Sequence, residues 1–195
     1  MKNTLQQYLQ NDEIIDWQHP KVLTKAKQLA GNSQSEIDIA RQCFSYVRDE
    51  IQHSGDSQRN ESSCSASEVL HIGTGWCYAK SHLLAALLRA NGLAAGLCYQ
   101  RLTIDGDTGP HCLHGLNAVY LQQYGWYRID ARGNKATVNA AFTPPTEQLA
   151  FPIQHIGEAD INGIFAEPLP VVVTALRQHK RHQTMLCHLP DIELW

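Results

Sequence analysis

Gly73-Thr74-Gly75-Trp76-Cys77-Tyr78-Ala79-Lys80-Ser81-His82-Leu83-Leu84-Ala85-Ala86-Leu87-Leu88-Arg89-Ala90-Asn91-Gly92 is the stretch that decides how this chain folds. From Cys77 to Ala90, alanine and leucine cover most of a helical circumference instead of one stripe, which is the pattern of a helix buried deep in a molecule. Lys80, His82 and Arg89 interrupt it and are expected to mark its exposed edge. Asn91-Gly92 ends it, with Gly92 placed for the left-handed conformation past the last turn.

Upstream, the period stays helical. Pro20 suits a first helical turn, and Val22, Leu23, Ala26, Leu29 and Ala30 predict a helix over 20–30, before Gly31. Ile37, Ala40, Phe44, Val47 and Ile51 predict a second over 36–51, opened by Ser35 and Asp38 as a capping box with Asp in place of Glu. Residues 54–64 read as a polar loop and Ser65 to Leu70 as a short helical turn. Downstream of Gly92 the period changes. Leu93 to Ile104, Leu113 to Leu121 and Trp126 to Ile129 read as strands, the last two joined as an antiparallel hairpin near Gln123-Tyr124-Gly125. Prolines 144, 145, 152, 168, 170 and 190 predict an irregular tail with one helix around Val171 to Lys180. Helices first and strands after them argue for α+β, not an alternating parallel sheet. The 195 residues fit one domain, 1–195, with its core at about 36–132 and residues 133–195 wrapped around it.

Composition limits the function. Hydrophobic residues make up 43% and charged residues 18%, which places the chain among globular proteins. A net charge of −3 with no basic stripe argues against nucleic acid, and the absence of a basic amphipathic helix argues against a membrane surface. Gln6, Gln7, Gln10, Asn11, Asp12 and Glu13 break any apolar run behind Lys2, so no signal peptide is expected. The longest apolar run, Leu83 to Leu88, is far below the roughly 20 residues of a membrane span. The expected compartment is therefore cytoplasmic, with Cys43, Cys64, Cys77, Cys98, Cys112 and Cys187 as reduced thiols. No Cys-x-x-Cys pair is present, so no zinc knuckle or thioredoxin-type site is encoded, and no cofactor is expected.

Cys77 stands where a thiol gains chemistry. A free cysteine is often a small buried apolar residue. At a helix N-terminus, however, partial positive charge and unbonded N–H groups lower a thiol's pKa, and the same N–H groups can receive the oxyanion formed when a thiolate attacks a carbonyl. Such a nucleophile needs a base, and the base needs an orienting acceptor. His114 opens one strand of the hairpin and Asp130 closes the other. Direct opposition of the two needs a turn centred on Gln122, whereas the turn-like residues centre nearer 124, so a bulge or an offset pair is required.

With that order on the page, Ser65-Ala66-Ser67-Glu68-Val69-Leu70, the Gly73–Ala95 stretch, His114-Gly115-Leu116-Asn117-Ala118-Val119-Tyr120 and Gly125-Trp126-Tyr127-Arg128-Ile129-Asp130 together resemble the core of the transglutaminase-like superfamily over about 36–132. Tyr46-Val47-Arg48-Asp49 with Ile51 resembles the upstream helix of bacterial members, often described as cysteine proteases. The resemblance implies a papain-like arrangement, with a cysteine-bearing helix packed on an antiparallel sheet. It also implies acyl-transfer chemistry, with Cys77 as nucleophile, His114 as base and Asp130 as its orienter. The chain departs from the family pattern at Leu116, where an aromatic is common, at Ala118, where an acidic residue is common, and at His53, where an aromatic is frequent.

The remaining residues have plainer readings. His111-Cys112-Leu113-His114 crowds ligand-type side chains without the further converging ligands that a metal site needs, so no metal is expected; His111 reads as a loop residue at the cleft rim. Cys43, Cys98 and Cys187 read as packing residues, and Cys64 as an oxidisable loop thiol. Arg132 is the competing partner for Asp130. Trp76 and Trp126 flank triad positions and are candidates to line the cleft. His71 and Trp76 are weak candidates for a second oxyanion donor. His179, His182 and His188 with Lys180 and Arg181 read as a solvated basic face. The resulting function is a thiol-dependent peptidase or amidase with a peptide or amide substrate, ahead of a protein crosslinker. The rival readings are a non-catalytic binding or scaffold protein on the same fold and a small-molecule thiol acyltransferase.

Overall fold

A computed structural model describes residues 5–193; the first four residues of the stretch read for a leader lie outside it. After a 3-10 turn at Gln6–Leu9 come α1 (Pro20–Ala30), α2 (Glu36–Glu50), β1 (Gln52–His53), α3 (Ser54–Ser57), α4 (Ala66–Ile72), β2 (Thr74–Gly75) and α5 (Cys77–Ala90). Then follow β3 (Ala95–Thr103), β4 (His111–Leu121), β5 (Gly125–Ile129), β6 (Ala159–Asp160), α6 (Pro170–Gln178) and α7 (His182–Leu186). The fold is α+β, as the order of helical and strand periods predicts.

The helices start where the caps place them. The Ser35 side chain accepts from the Asp38 N–H, but only this half of the box forms, because the Asp38 carboxylate turns to Arg41 at 2.6 Å. Ser65 and Glu68 make the full reciprocal box at α4. Gly92 takes φ 77°, the left-handed value that its place after α5 requires.

The centre of the molecule is α5, buried from Cys77 through Arg89. It packs on β3 and β4 on one side and on α1, α2 and α4 on the other. Its polar residues do not mark an exposed edge. Lys80 and His82 are fully buried, and Arg89 nearly so. Each reaches backbone carbonyls of a distant segment. The Lys80 ammonium donates to the Ile51 carbonyl and, at 3.4 Å, to that of Arg48, closing the C-terminus of α2. His82 Nδ1 meets the Cys64 carbonyl at 2.7 Å. Arg89 donates to the carbonyls of Ala95, Gln10 and Ala166 at 3.0, 2.8 and 2.6 Å. Burying a polar group is tolerated when it is hydrogen-bonded, and here these bonds tie other chain segments to the central helix. Burial still pushes these groups down, Lys80 to about 7, His82 to about 4 and Arg89 to about 10.

The main sheet has the order β5-β4-β3-β6 and is antiparallel throughout. Leu97, Tyr99, Val119 and Leu121 face α5, whereas Cys98, Leu116 and Ala118 face the opposite side under Trp126, Leu149 and Ile164. A two-stranded parallel pair, Gln52↔Thr74 and His53↔Gly75, joins β1 to β2 and fixes the approach to Cys77. That pair spans a segment expected to be loop. Residues 54–64 also contain α3, and they bury Ser54, Ser63 and Cys64. The two outlying cysteines therefore exchange their expected environments, Cys64 being buried and Cys187 exposed. The tail carries β6 and α7 besides the expected helix. Among the described residues no helix is long and apolar enough to cross a membrane.

Candidate active site

Cys77 is the first residue of α5, with Trp76 in the capping position and no side chain capping the end. Its sulfur is met by β4. Hydrogen bonding alternates along that strand, and the odd-numbered residues turn their N–H groups toward β5. The β4–β5 pairing stops at Asn117↔Ile129, so the N–H groups of Gly115 and Leu113 point beyond the end of β5. The Gly115 N–H donates to Cys77 Sγ at 3.5 Å. The Leu113 N–H donates to the Pro190 carbonyl at 2.7 Å. Gly115 makes the first contact possible, since a Cβ there would stand 3.0 Å from Tyr78 Cα and 3.2 Å from its nitrogen. The Tyr78 hydroxyl in turn donates to the Leu113 carbonyl, locking the start of α5 to β4.

His114 lies between these two backbone contacts. The observed register centres the hairpin turn on residue 123, so Asp130 lies opposite Leu116 and is offset by two residues from His114. Same-face residues at this diagonal are within reach of each other, and no bulge is needed. His114 Nε2 meets Asp130 Oδ2 at 2.7 Å, leaving Nδ1 as the ring nitrogen for the thiol. Asp130 is fully buried and also accepts the Ala150 N–H at 3.0 Å and the Arg132 N–H at 3.1 Å. Burial on its own would lower the His114 pKa, but the Asp130 carboxylate and Cys77 raise it to about 10. Burial would raise Asp130, and the imidazolium and two backbone donors hold it below the ordinary carboxylate value. The three residues proposed from sequence therefore come together. Arg132 does not compete for the carboxylate, because its guanidinium pairs with Asp56 at 2.6 and 3.0 Å.

The thiol opens into a cleft of about 310 Å³. Trp76 lines it, in a T-shaped contact with His53 and stacked on His182 at 5.6 Å and 7°. Phe151 stands edge-on to His114 at 5.1 Å and under the Arg132 guanidinium. His53 is a wall residue whose Nδ1 lies 3.7 Å from Asp56, too far for a hydrogen bond, and it has no other partner. Burial, reinforced by Arg132, pushes it well below the ordinary histidine range. Four expectations fail here. Trp126 packs on Tyr8 and Tyr120, away from the cleft. His111 is the first residue of β4 and is occupied by the Ile156 carbonyl at 3.0 Å. His182 backs Trp76 instead of joining a solvated face. His71 is exposed on α4 and does not line the cleft. Sequence reading registered His53 only as a departure from a common aromatic and did not register Phe151 or the Asp56–Arg132 pair. All three depend on chain segments whose proximity no local pattern encodes.

A model of the transglutaminase-like superfamily matches residues 24–131, more than half of the chain, and it spans Cys77, His114 and Asp130. The chain belongs to the transglutaminase-like superfamily. Solved structures with the same fold include a "putative cysteine protease" from Cytophaga hutchinsonii, 17% identical, with a TM-score of 0.54 over 68% of this chain and 43% of that one. The periplasmic domain of TgpA from Pseudomonas aeruginosa is 16% identical, with a TM-score of 0.50 over 67% of this chain and 47% of that one. The chain thus spans less than half the length of either structure. Comparison with curated proteins gives no match. At these identities the structures establish the transglutaminase-like fold and nothing finer.

Proposed function

We propose that this transglutaminase-like chain is a thiol-dependent acyl-transfer enzyme that cleaves amide or peptide bonds. The observation that carries the reading is the placement of Cys77 at the open N-terminus of α5, beside an imidazole held by a buried carboxylate at 2.7 Å. In the proposed cycle the thiol proton is carried on His114 Nδ1, either taken up as the substrate arrives or already there as a resting thiolate–imidazolium pair, which Asp130 stabilises. The thiolate attacks the amide carbonyl, and the Cys77 N–H at the helix start receives the oxyanion. His114 then gives its proton to the departing amine, leaving a thioester on Cys77. Water, deprotonated by the same imidazole, attacks the thioester, releases the acid and restores the thiol.

Hydrolysis is placed ahead of crosslinking because water needs no seat of its own, whereas a protein amine must be held beside a cleft of only about 310 Å³. We place the protein in a reducing compartment, where its six free cysteines persist as thiols. The test is turnover of a panel of acyl amides by wild type and Cys77→Ala, with and without a primary amine. Loss of all turnover in a folded Cys77→Ala protein, with acid as the main product, is expected. Full activity in that variant would remove the thiol from the mechanism, and amine incorporation as the main product would make the protein a transamidase.

A further inference from the structure

The family core ends near residue 131, but part of the cleft wall comes from chain beyond it, and one piece comes from the last residues described. The Pro190 carbonyl occupies the Leu113 N–H one residue before His114. The Asp191 carboxylate forks onto Arg101 of β3 at 2.8 and 2.6 Å. Ile192 packs against the core. A backbone bond, a two-point ion pair and an apolar anchor on consecutive residues make this segment a fixed wall, and they turn Leu189 into the cleft.

Leu189 there joins Leu102, Leu113, Phe151, Pro152 and Trp76. Arg132, His155 and Glu158 also line the cleft. Arg132 is taken by Asp56. Glu158 accepts from the Thr103 N–H and hydroxyl on one oxygen, and from the Gln154 and His155 N–H groups on the other. A substrate carboxylate would lose its water, find Arg132 already paired and meet the Glu158 carboxylate, whereas an apolar group would be desolvated at no such cost.

We propose that the C-terminal segment, through Leu189, sets the specificity of this cleft for an uncharged, bulky apolar side chain next to the scissile carbonyl. This rests on the acyl-transfer reading above, and two measurements separate them. The first is the rate at which Cys77 is modified by acyloxymethyl ketones of benzyloxycarbonyl-phenylalanine, -leucine, -glycine, -glutamate and -lysine. Rates are followed by intact mass and divided by each protein's own rate with iodoacetamide, which has no side chain to seat. Phenylalanine and leucine reagents are expected to exceed glycine by roughly tenfold or more, with glutamate slowest. Leu189→Asp is expected to erase most of that ratio and to raise the lysine reagent, and Leu189→Ala to reduce the ratio without favouring charge. Equal rates for all five reagents, or an unchanged preference in Leu189→Asp, would overturn the proposal. The second measurement needs no chemistry. Cys77→Ala protein is titrated with benzyloxycarbonyl-phenylalanine amide and the glutamate amide, using intrinsic tryptophan fluorescence, to which the cleft residue Trp76 contributes. Tighter binding of the phenylalanine amide is expected even if the thiol proves unreactive, and equal or reversed affinity would overturn the proposal.

Discussion

Replacing Asp130 by asparagine tests whether the carboxylate does more than fill space. The side chain keeps its volume and loses its charge. At present Oδ2 accepts from His114 and Ala150, and Oδ1 accepts from Arg132. The best asparagine rotamer puts its oxygen at the Oδ2 position and its NH2 against the Arg132 N–H. The Arg132 N–H and the amide NH2 then face each other as donors, leaving at least one buried donor unmet at about 1–3 kcal/mol, and the His114 bond falls from charge-assisted to neutral, at about 1 kcal/mol. The sum, roughly 2–4 kcal/mol, corresponds to a fall in Tm of about 5–15 °C for a domain of this size. The loss must also depend on pH. His114 is raised to about 10 in the folded protein. Its contribution is therefore complete below about 6.5 and disappears as pH rises through 10. Asp130 is depressed, so its contribution is lost on the acid side, as pH falls below the carboxylate range. Lys80, lowered to about 7, titrates in the alkaline window with the opposite sign. The difference between wild type and Asp130→Asn, and not the slope of either, therefore reads the pair. Urea unfolding of both proteins at pH 6, 8 and 10 should show a gap that is widest at pH 6 and narrow at pH 10, together with a large loss of Cys77 alkylation at pH 6. A constant gap, or unchanged alkylation, would refute the ion-pair account.

The other expected outcomes concern neighbouring features. Gly115→Ala would push a Cβ onto the Tyr78 backbone at 3.0 Å, so a stability loss of about 1–3 kcal/mol and slower Cys77 alkylation are expected, read by thermal unfolding and peptide mass mapping. Burial pushes Cys64 up to about 11 and Cys43 and Cys98 up to about 12, and all three are enclosed. Limiting iodoacetamide near pH 6.5 should therefore label Cys77 first and exposed Cys187 second, and these three only after denaturation. Lys80→Met removes a base whose folded pKa lies below its unfolded one, so the rise in stability that Lys80 contributes from pH 7 to 10 should be absent from that variant in calorimetry.

The local patterns of the chain carried the helices and the hairpin. The all-round apolar run from Cys77 to Arg89 is a burial pattern that needs no tertiary information, and Ser65 with Glu68 writes a helix start within four residues. The placement of the three side chains was partly legible too, because a thiol at a helix N-terminus and an imidazole and a carboxylate on one hairpin are local features. What the sequence left open was every decision made by burial against distant chain. Lys80, His82 and Arg89 look like a solvent edge by residue type, but carbonyls from residues 51, 64, 95 and 166 meet them inside. The offset that lets His114 reach Asp130 depends on where a turn settles, a shift of one residue that hydrophobic alternation alone did not place. His53, Phe151 and Leu189 become cleft residues only when segments far apart in the chain close around the thiol. Local periodicity records which face of an element is apolar. Which partner that face meets, and so which polar groups find a bond or a reaction, is decided when the whole chain is packed.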